Sequence, residues 1–249
     1  LLAAGCGDGA SARGDEPRRA DPDRPAAAAR REGPIRLQAA AGGDVTFVAR
    51  VTRTAVARSA PRLSAPAWMH IPHEAPYSGR PARLMVTGAY RDRRGREWVR
   101  VLLATRPNGT TAWVPRSDVR LTATRYRIRV DLSARRLDLF RDGRRVATHR
   151  AGVGMAAYPT PTGRFAIEDM VATSPRWRGT YGRYVLTLTA FSPVLTSFMG
   201  GEGQSAIHGT GSLGRVGRAA SYGCVVLGDR ALRALFASVR PGTPVEITP

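Results

Sequence analysis

The sequence contains few of the residues that build metal sites and disulfide frameworks. Its 249 residues include only two cysteines and four histidines. His70 and His73 lie close together, but Pro72 between them disfavours a helix, and no cysteine or further histidine lies near them. The sequence therefore does not predict a metal site there.

Acidic residues are few and lysine is absent. The chain has 39 basic and 19 acidic residues, which gives a formal net charge of +20 and a pI near 11.5. Such a charge is typical of proteins that bind acidic polymers, including nucleic acids. The arginines are spread over every segment, and no nucleic-acid-binding motif is present. We therefore expect an anionic polymer other than nucleic acid as the partner of this charge.

Residues 7–33 lack the side chains that form a hydrophobic core. They contain no aromatic residue and almost no large aliphatic one. Such a segment cannot bury enough apolar surface to offset the entropy lost on ordering. We predict that residues 7–33 form a disordered tether.

The first six residues resemble the end of a bacterial lipoprotein signal, in which small residues precede a lipidated cysteine. Leu1 to Cys6 fit this pattern, and the alternative is an arbitrary apolar start. If the first interpretation holds, Cys6 is lipidated, Cys6 and Cys224 have separate roles, and no disulfide is implied. The lipid would be the protein's only contact with the membrane. We then expect an extracytoplasmic protein, on the outer face of the cytoplasmic membrane or in the cell wall or periplasm.

Residues 34–122 alternate between strand patterns and turns. The chain is 43% apolar, enough to fill the cores of two small domains. Asn108 and Gly109 lie between two strand-like runs and are the strongest hairpin signal in the chain. The predicted strands of this region cover residues 44–49, 82–90, 98–103 and 111–115.

The end of that hairpin, Trp113 to Pro115, resembles bacterial SH3-like domains found beside cell-wall enzymes. We predict a small SH3-like β-barrel over residues 34–122. It either binds wall peptide or is a spacer that shapes the catalytic cleft. We favour the spacer, because no polar cluster stands out in its sequence.

Residues 123–249 are predicted to form a second, β-rich domain with one helix, which makes the whole chain mainly β. The helix is predicted to begin after Gly228, with Asp229 as its cap, and to end before Pro241. Its apolar face contains Leu232, Leu235, Phe236 and Val239. The predicted strands cover residues 126–132, 136–140, 146–154, 163–167, 184–189 and 245–248.

Residues 206–227 carry the most distinctive chemistry of the chain. A thiol is a strong nucleophile only as the thiolate, so Cys224 requires a nearby base or positive charge. His208 is the only histidine within reach of this loop by sequence. A free cysteine more often packs as a small hydrophobe, and a lone histidine is more often structural. The spacing and the surrounding glycines favour a catalytic pair here.

Gly223 directly precedes the cysteine. Without a β-carbon, it allows a sharp turn, and the successive amides of Gly223 and Cys224 are then placed to stabilise an oxyanion. Residues 225–227 are predicted to form a buried strand. We therefore expect the nucleophile at a strand end, which is a rigid position for it.

Two sequence blocks resemble the motifs of one enzyme family. Residues 208–210 (H-G-T) and 221–225 (S-Y-G-C-V) resemble the H-G-T and S-x-G-C motifs of the L,D-transpeptidase catalytic domain of the YkuD type. Residues 159–165 resemble the T-P-x-G-x-F segment of the same family. The resemblance extends from about residue 124 to residue 247.

The resemblance implies an acyl transfer on peptidoglycan stem peptides. Cys224 would attack the carbonyl of the third stem residue, and His208 would take the thiol proton and later pass it to the leaving amine, with its imidazole held by the Gly209 carbonyl. An amine or water would then resolve the acyl-enzyme, and a carbapenem would acylate the same cysteine. No metal or organic cofactor is implied. We expect the thiol to titrate below the ~8.5 of a free thiol.

The same resemblance implies the other members of the site. Residues 169–203, between the two blocks, contribute a flap over the cleft in this family. The predicted catalytic residues are Cys224, His208, Gly209, Gly223 and Ser221, and the predicted substrate-binding residues are Tyr222, Met199, Tyr181, Arg215 and Arg218.

One position departs from the family pattern. Val226 stands where the family usually has Arg or Asn. We expect Arg215 or Arg218, on the loop between base and nucleophile, to supply the missing polar contact. The departure leaves two alternatives open: a catalytically weak or silent wall-binding paralogue, and an L,D-carboxypeptidase that releases D-alanine to water.

Overall fold

A computed structural model describes residues 32–37, 44–198 and 200–249. Cys6, the tether up to residue 31 and Met199 lie outside the described residues, so the predictions made for them stay predictions. No helix in the described part of the chain is long and apolar enough to cross a bilayer.

Among the described residues, the strands before residue 125 form one antiparallel sheet, which we call the first sheet. Its strands follow the order β4-β3-β7-β6-β5-β2-β8, with β1 paired to β5. Val51, Val101 and Val114 lie in its core and are fully buried. The strands are β1 (Gly33–Pro34), β2 (Thr46–Val51), β3 (Ala55–Arg58), β4 (Ala67–Ile71), β5 (Arg83–Arg91), β6 (Glu97–Leu102), β7 (Thr111–Pro115) and β8 (Val119–Thr124).

The predicted hairpin is confirmed. β6 and β7 pair antiparallel, with Leu102 opposite Thr111, and β7 has the predicted bounds. Side chains alternate between the two faces of β7, and Ala112 and Val114 are buried on one of them. The SH3-like assignment and the domain boundary at residue 122 stay predictions.

The strands after residue 125 form a second sheet in the order β11-β10-β9-β18-β13-β14-β15-β17, and β12 pairs separately with β16. The strands are β9 (Tyr126–Asp131), β10 (Arg136–Arg141), β11 (Arg144–Arg150), β12 (Val153–Gly154), β13 (Gly163–Ala172), β14 (Tyr184–Phe191), β15 (Gln204–His208), β16 (Ala219–Ser221), β17 (Val225–Val226) and β18 (Pro244–Thr248). The helices are α1 (Arg178–Tyr181) and α2 (Asp229–Ser238).

One predicted strand is divided in the structure. The segment 146–154 forms β11 and β12, separated at Gly152. Gly152 leaves the sheet edge because its amide donates to the Val226 carbonyl and its carbonyl accepts from the Val226 amide, both at 2.8 Å. The mainly β fold predicted from the sequence is otherwise confirmed.

The predicted helix is present, but its cap differs. Gly228 is the residue at the N-cap, and Asp229 is the first helical residue, with no side-chain capping bond. Leu232 and Leu235 are buried against the second sheet, and the Phe236 ring stacks on Tyr184 with centroids 4.2 Å apart. The helix therefore covers one face of the second sheet.

Loops of the first sheet contact the second sheet directly. The Tyr77 and Ser78 amides donate to Asp169 Oδ2 over 3.0 and 2.8 Å. Asp169 is only 2% exposed, so its carboxylate is a buried acceptor satisfied by backbone donors.

Candidate active site

His208 is the last residue of β15 and is buried. Its Nδ1 lies 2.6 Å from the carbonyl oxygen of Gly209. A carbonyl only accepts, so Nδ1 carries the hydrogen and Nε2 of the neutral ring is left as the acceptor. This tautomer is the one that a general base requires.

Glycines allow the backbone to close around this histidine. A β-carbon on Gly209 would lie 2.8 Å from Asp229 Oδ1, and one on Gly182 would lie 2.5 Å from Gly209 Cα. The Gly209 amide also donates to the Tyr181 carbonyl over 2.8 Å. A side chain at either glycine would separate α1 and α2 from the histidine, which explains the glycine of the H-G-T motif.

Cys224 follows a tight turn and directly precedes β17. Gly223 has φ +104°, in the region that favours glycine, and the Ser221 hydroxyl donates to the Cys224 carbonyl over 2.6 Å. Cys224 is a free cysteine; the residue as a whole keeps some exposed surface, whereas its thiol group is enclosed by protein. The turn therefore presents the thiol at the start of a short buried strand.

The predicted role of the Gly223 amide in an oxyanion hole is not supported. This amide donates to Ser221 Oγ over 3.3 Å, so it is directed toward its own turn. Ser221 thus acts as a brace of the loop, since its hydroxyl both accepts from Gly223 and donates to Cys224.

Strand pairing brings His208 and Cys224 together. β15 and β17 are parallel neighbours, with Ile207 opposite Val225 and His208 opposite Val226. Side chains alternate along strands, so His208 and Val226 share one face, and the same alternation carried back to Cys224, directly before β17, places the cysteine on that face diagonally from His208. Diagonal neighbours of this kind lie within reach of long side chains.

Tyr181 joins the same cluster. Its ring meets His208 edge-on, with ring centroids 5.1 Å apart. Burial raises the pKa of Tyr181, and the charge of Cys224 raises it further. The Tyr181 ring therefore packs on the histidine, within electrostatic range of Cys224.

The electrostatics favour a neutral pair. Burial lowers the pKa of His208 to about 4; the Gly209 hydrogen bond opposes this effect and the charge of Arg215 adds to it. Burial raises the pKa of the Cys224 thiol, although a hydrogen bond with the Ala206 backbone lowers it in part. The expectation of a low thiol pKa was therefore wrong, because burial penalises both charged forms.

Tyr222 lies within an aromatic cluster at the rim of the site. It is 47% exposed, and its ring lies 4.9 Å from Tyr158 and 5.5 Å from Phe198 between centroids. Tyr158 was not among the predicted site residues, although it directly precedes the block 159–165. Phe198 belongs to the predicted flap, and its neighbour Met199 lies outside the described residues.

The block 159–165 packs behind the nucleophile turn. Thr160 is buried, and its hydroxyl accepts from the Gly154 amide over 2.8 Å. The Pro159 carbonyl lies 3.4 Å from where a Gly223 β-carbon would be. The two sequence blocks are therefore adjacent in space.

The two loop arginines differ in their relation to the site. Arg215 ends a 3₁₀ helix, Leu213–Arg215, and its charge acts on His208. Arg218 is bound through its backbone, since its carbonyl accepts from the Val153 amide over 2.9 Å. Val226 is only 1% exposed, so the position that departs from the family pattern holds an apolar contact inside the fold.

Part of the sequence matches a known protein family. Residues 125–247 match the family model of the L,D-transpeptidase catalytic domain, YkuD. The second sheet, apart from Thr248 at the end of β18, lies within these residues, which we call the YkuD domain after the model that they match.

Similar proteins come from several bacteria. The YkuD protein of Bacillus licheniformis is 35% identical over 124 residues, which are 50% of this chain and 66% of that protein. The YkuD protein of Bacillus subtilis is 30% identical over 122 residues, 49% of this chain and 65% of that protein. An L,D-transpeptidase structure from Mycobacterium tuberculosis is 16% identical and covers 62% of this chain and 90% of its own, with a TM-score of 0.43. The match to this chain thus spans less than two thirds of either Bacillus protein.

The neutral state of His208 and Cys224 predicts how the alkylation rate of Cys224 depends on pH. In a Cys6→Ala background, which leaves Cys224 as the single thiol of the sequence, iodoacetamide should alkylate Cys224 with an apparent pKa above that of a free thiol. His208→Ala should leave this pKa raised, because burial causes the shift. Alkylation rates measured against pH by intact mass give the answer. A rate that has already reached its plateau at neutral pH would contradict the neutral pair.

Proposed function

We propose that the YkuD domain is a peptidoglycan L,D-transpeptidase in which Cys224 is the nucleophile and His208 the base. The observation that carries the proposal is the 2.6 Å contact of His208 Nδ1 with the Gly209 carbonyl, which leaves Nε2 basic on the face that also carries Cys224. The match of residues 125–247 and the two Bacillus relatives support the same reaction class.

Acylation begins from the neutral pair. As Cys224 Sγ attacks the carbonyl carbon of the third stem residue, its proton passes to His208 Nε2, so the thiolate need not form in advance. The tetrahedral intermediate collapses when the bond to D-alanine breaks, and Nε2–H protonates the leaving amine. The products of this half-reaction are free D-alanine, neutral His208 and a thioester on Cys224.

Transfer reverses the proton path. An amine of a second stem attacks the thioester carbonyl, His208 Nε2 takes the amine proton, and the departing sulfur recovers it. The product is a new amide, and the thiol is restored. Water in place of the amine gives the carboxypeptidase outcome with the same groups.

Side chains around the pair are proposed to hold the stem peptide. Tyr181 packs edge-on against His208 and Tyr222 is two residues before Cys224, and their rings offer apolar faces with polar ends. Arg215 is exposed and close enough to affect His208, so it is placed to attract a substrate carboxylate. Arg218 is proposed to add to the positive charge of the same loop.

A carbapenem tests the nucleophile without knowledge of the natural acceptor. The intact protein should gain the mass of one carbapenem, and Cys224→Ala should gain none. His208→Ala should slow acylation by roughly 10²–10⁴-fold, the usual contribution of a general base. In the wild type the rate should rise with pH through about 4, as His208 loses its proton, and then level off.

The control is the folded state of each variant, read by circular dichroism. Absence of an adduct on folded wild-type protein would favour the silent wall-binding paralogue, whose positive charge binds anionic wall polymers.

We propose that a lipid on Cys6 anchors the full-length protein outside the cytoplasmic membrane, with residues 7–33 as a tether and an SH3-like domain beside the enzyme. The support is the sequence pattern at Leu1 to Cys6 and the composition that follows it. Cells that express the precursor should incorporate labelled fatty acid into the protein, and Cys6→Ala should abolish the label. Equal labelling of both forms would rule out the anchor.

A further inference from the structure

One arginine of the first sheet forms hydrogen bonds with the connection between β14 and β15. Arg106, in the loop between β6 and β7, donates from Nη1 to the Ser192 carbonyl over 2.7 Å. Its Nη2 donates to the carbonyls of Leu195 and Glu202 over 2.8 and 3.0 Å. One guanidinium therefore holds both the beginning and the end of the connection, which we call the 192–203 loop.

Two further side chains hold the base of this loop. Asn108 exchanges two hydrogen bonds with Phe191: Nδ2 donates to the Phe191 carbonyl and Oδ1 accepts from its amide, both at 2.8 Å. Tyr77 donates its hydroxyl to Gln204 Oε1 over 2.9 Å. Phe191 and Gln204 are paired residues of β14 and β15. The strand ends that carry the loop are thus both bound by the first sheet.

The fit at the loop end is close. Gly203 has φ +71°, and a β-carbon there would lie 2.1 Å from the Leu195 carbonyl oxygen and 3.4 Å from Arg106 Nη2. The Arg106 guanidinium also lies 5.2 Å from the centre of the Phe191 ring. Arginine suits this role because its planar fork directs several donors at once, which a lysine ammonium cannot reproduce.

The 192–203 loop contacts the segment that precedes the nucleophile. Phe198, within it, contacts the ring of Tyr222 with centroids 5.5 Å apart, and Tyr158 contacts Tyr222 from the other side. Tyr222 is two residues before Cys224. The placement of the loop therefore sets the position of the exposed aromatic ring beside the thiol.

We propose that Arg106 is a positioning residue of the active site: by fixing the 192–203 loop it holds Phe198 against Tyr222 and so shapes the surface that receives the stem peptide. The first sheet then contributes to the shape of the cleft through Arg106. The catalytic consequence rests on the proposed transpeptidase function, whereas the link from Arg106 to Tyr222 does not.

Hydrogen exchange tests the physical link. Arg106→Ala should speed amide exchange in residues 192–203, and in the segment containing Tyr222, by about tenfold or more, because three hydrogen bonds to a charged donor are lost. Arg120→Ala, which removes an exposed arginine of β8, is the matched control and should change neither segment. Unchanged exchange around Tyr222 in Arg106→Ala overturns the proposal, whatever the activity of the protein.

Kinetics test the consequence for substrate. With a tetrapeptide stem as donor, Arg106→Ala should raise KM by roughly tenfold while the titration of His208 and the iodoacetamide reactivity of Cys224 stay as in the wild type. Arg106→Lys should recover only part of the loss. A general loss of stability would instead change KM, the titration of His208 and the reactivity of Cys224 together. An unchanged KM in an active enzyme overturns the positioning role. If the wild type is inactive but exchange responds as expected, the proposed function fails and the structural link stands.

Discussion

The parallel pairing of β15 with β17 is the constraint on which the site depends. It fixes His208 at the end of β15 and places Cys224 directly before the start of β17. Further backbone hydrogen bonds stabilise this pairing. The Leu227 amide donates to the His208 carbonyl over 2.9 Å, and Gly152 and Val226 exchange two hydrogen bonds. Because the two strands are parallel, the chain between them must cross over and return, and residues 209–223 form this crossover. The glycines of the crossover permit its close approaches to α1, α2 and the Pro159 segment.

Burial around the two strands also shifts the pKa values of His208 and Cys224. It lowers the pKa of His208 and raises that of Cys224, so neither group is charged at rest. A neutral thiol reacts slowly with unspecific electrophiles. In the proposed reaction, Cys224 becomes reactive when a bound carbonyl accepts the sulfur as the imidazole accepts the proton, so its reactivity depends on the presence of substrate.

Local patterns in the sequence were sufficient for the elements and for part of the site. The run of residues after the Asn-Gly turn predicted the bounds of β7, the Asn-Gly pair predicted its hairpin, and the apolar spacing of α2 identified its buried face. Gly223 was predicted to allow a sharp turn, and its φ of +104° agrees. The thiol pKa was predicted in the wrong direction because it depends on depth of burial, which residue types alone do not determine. The proposed role of Arg106 had no local signal, since its partners Ser192, Leu195 and Glu202 lie far along the chain, in the 192–203 loop.

The central claim is that this chain transfers the acyl group of a stem peptide through Cys224. The most direct measurement incubates the purified protein, and its Cys224→Ala variant, with disaccharide tetrapeptides from cell wall and follows the products by mass. The account predicts that the wild type releases D-alanine and yields crosslinked dimers or tripeptides, and that the variant yields neither. Tetrapeptides left intact by folded wild-type protein, or the same products from the variant, would contradict it.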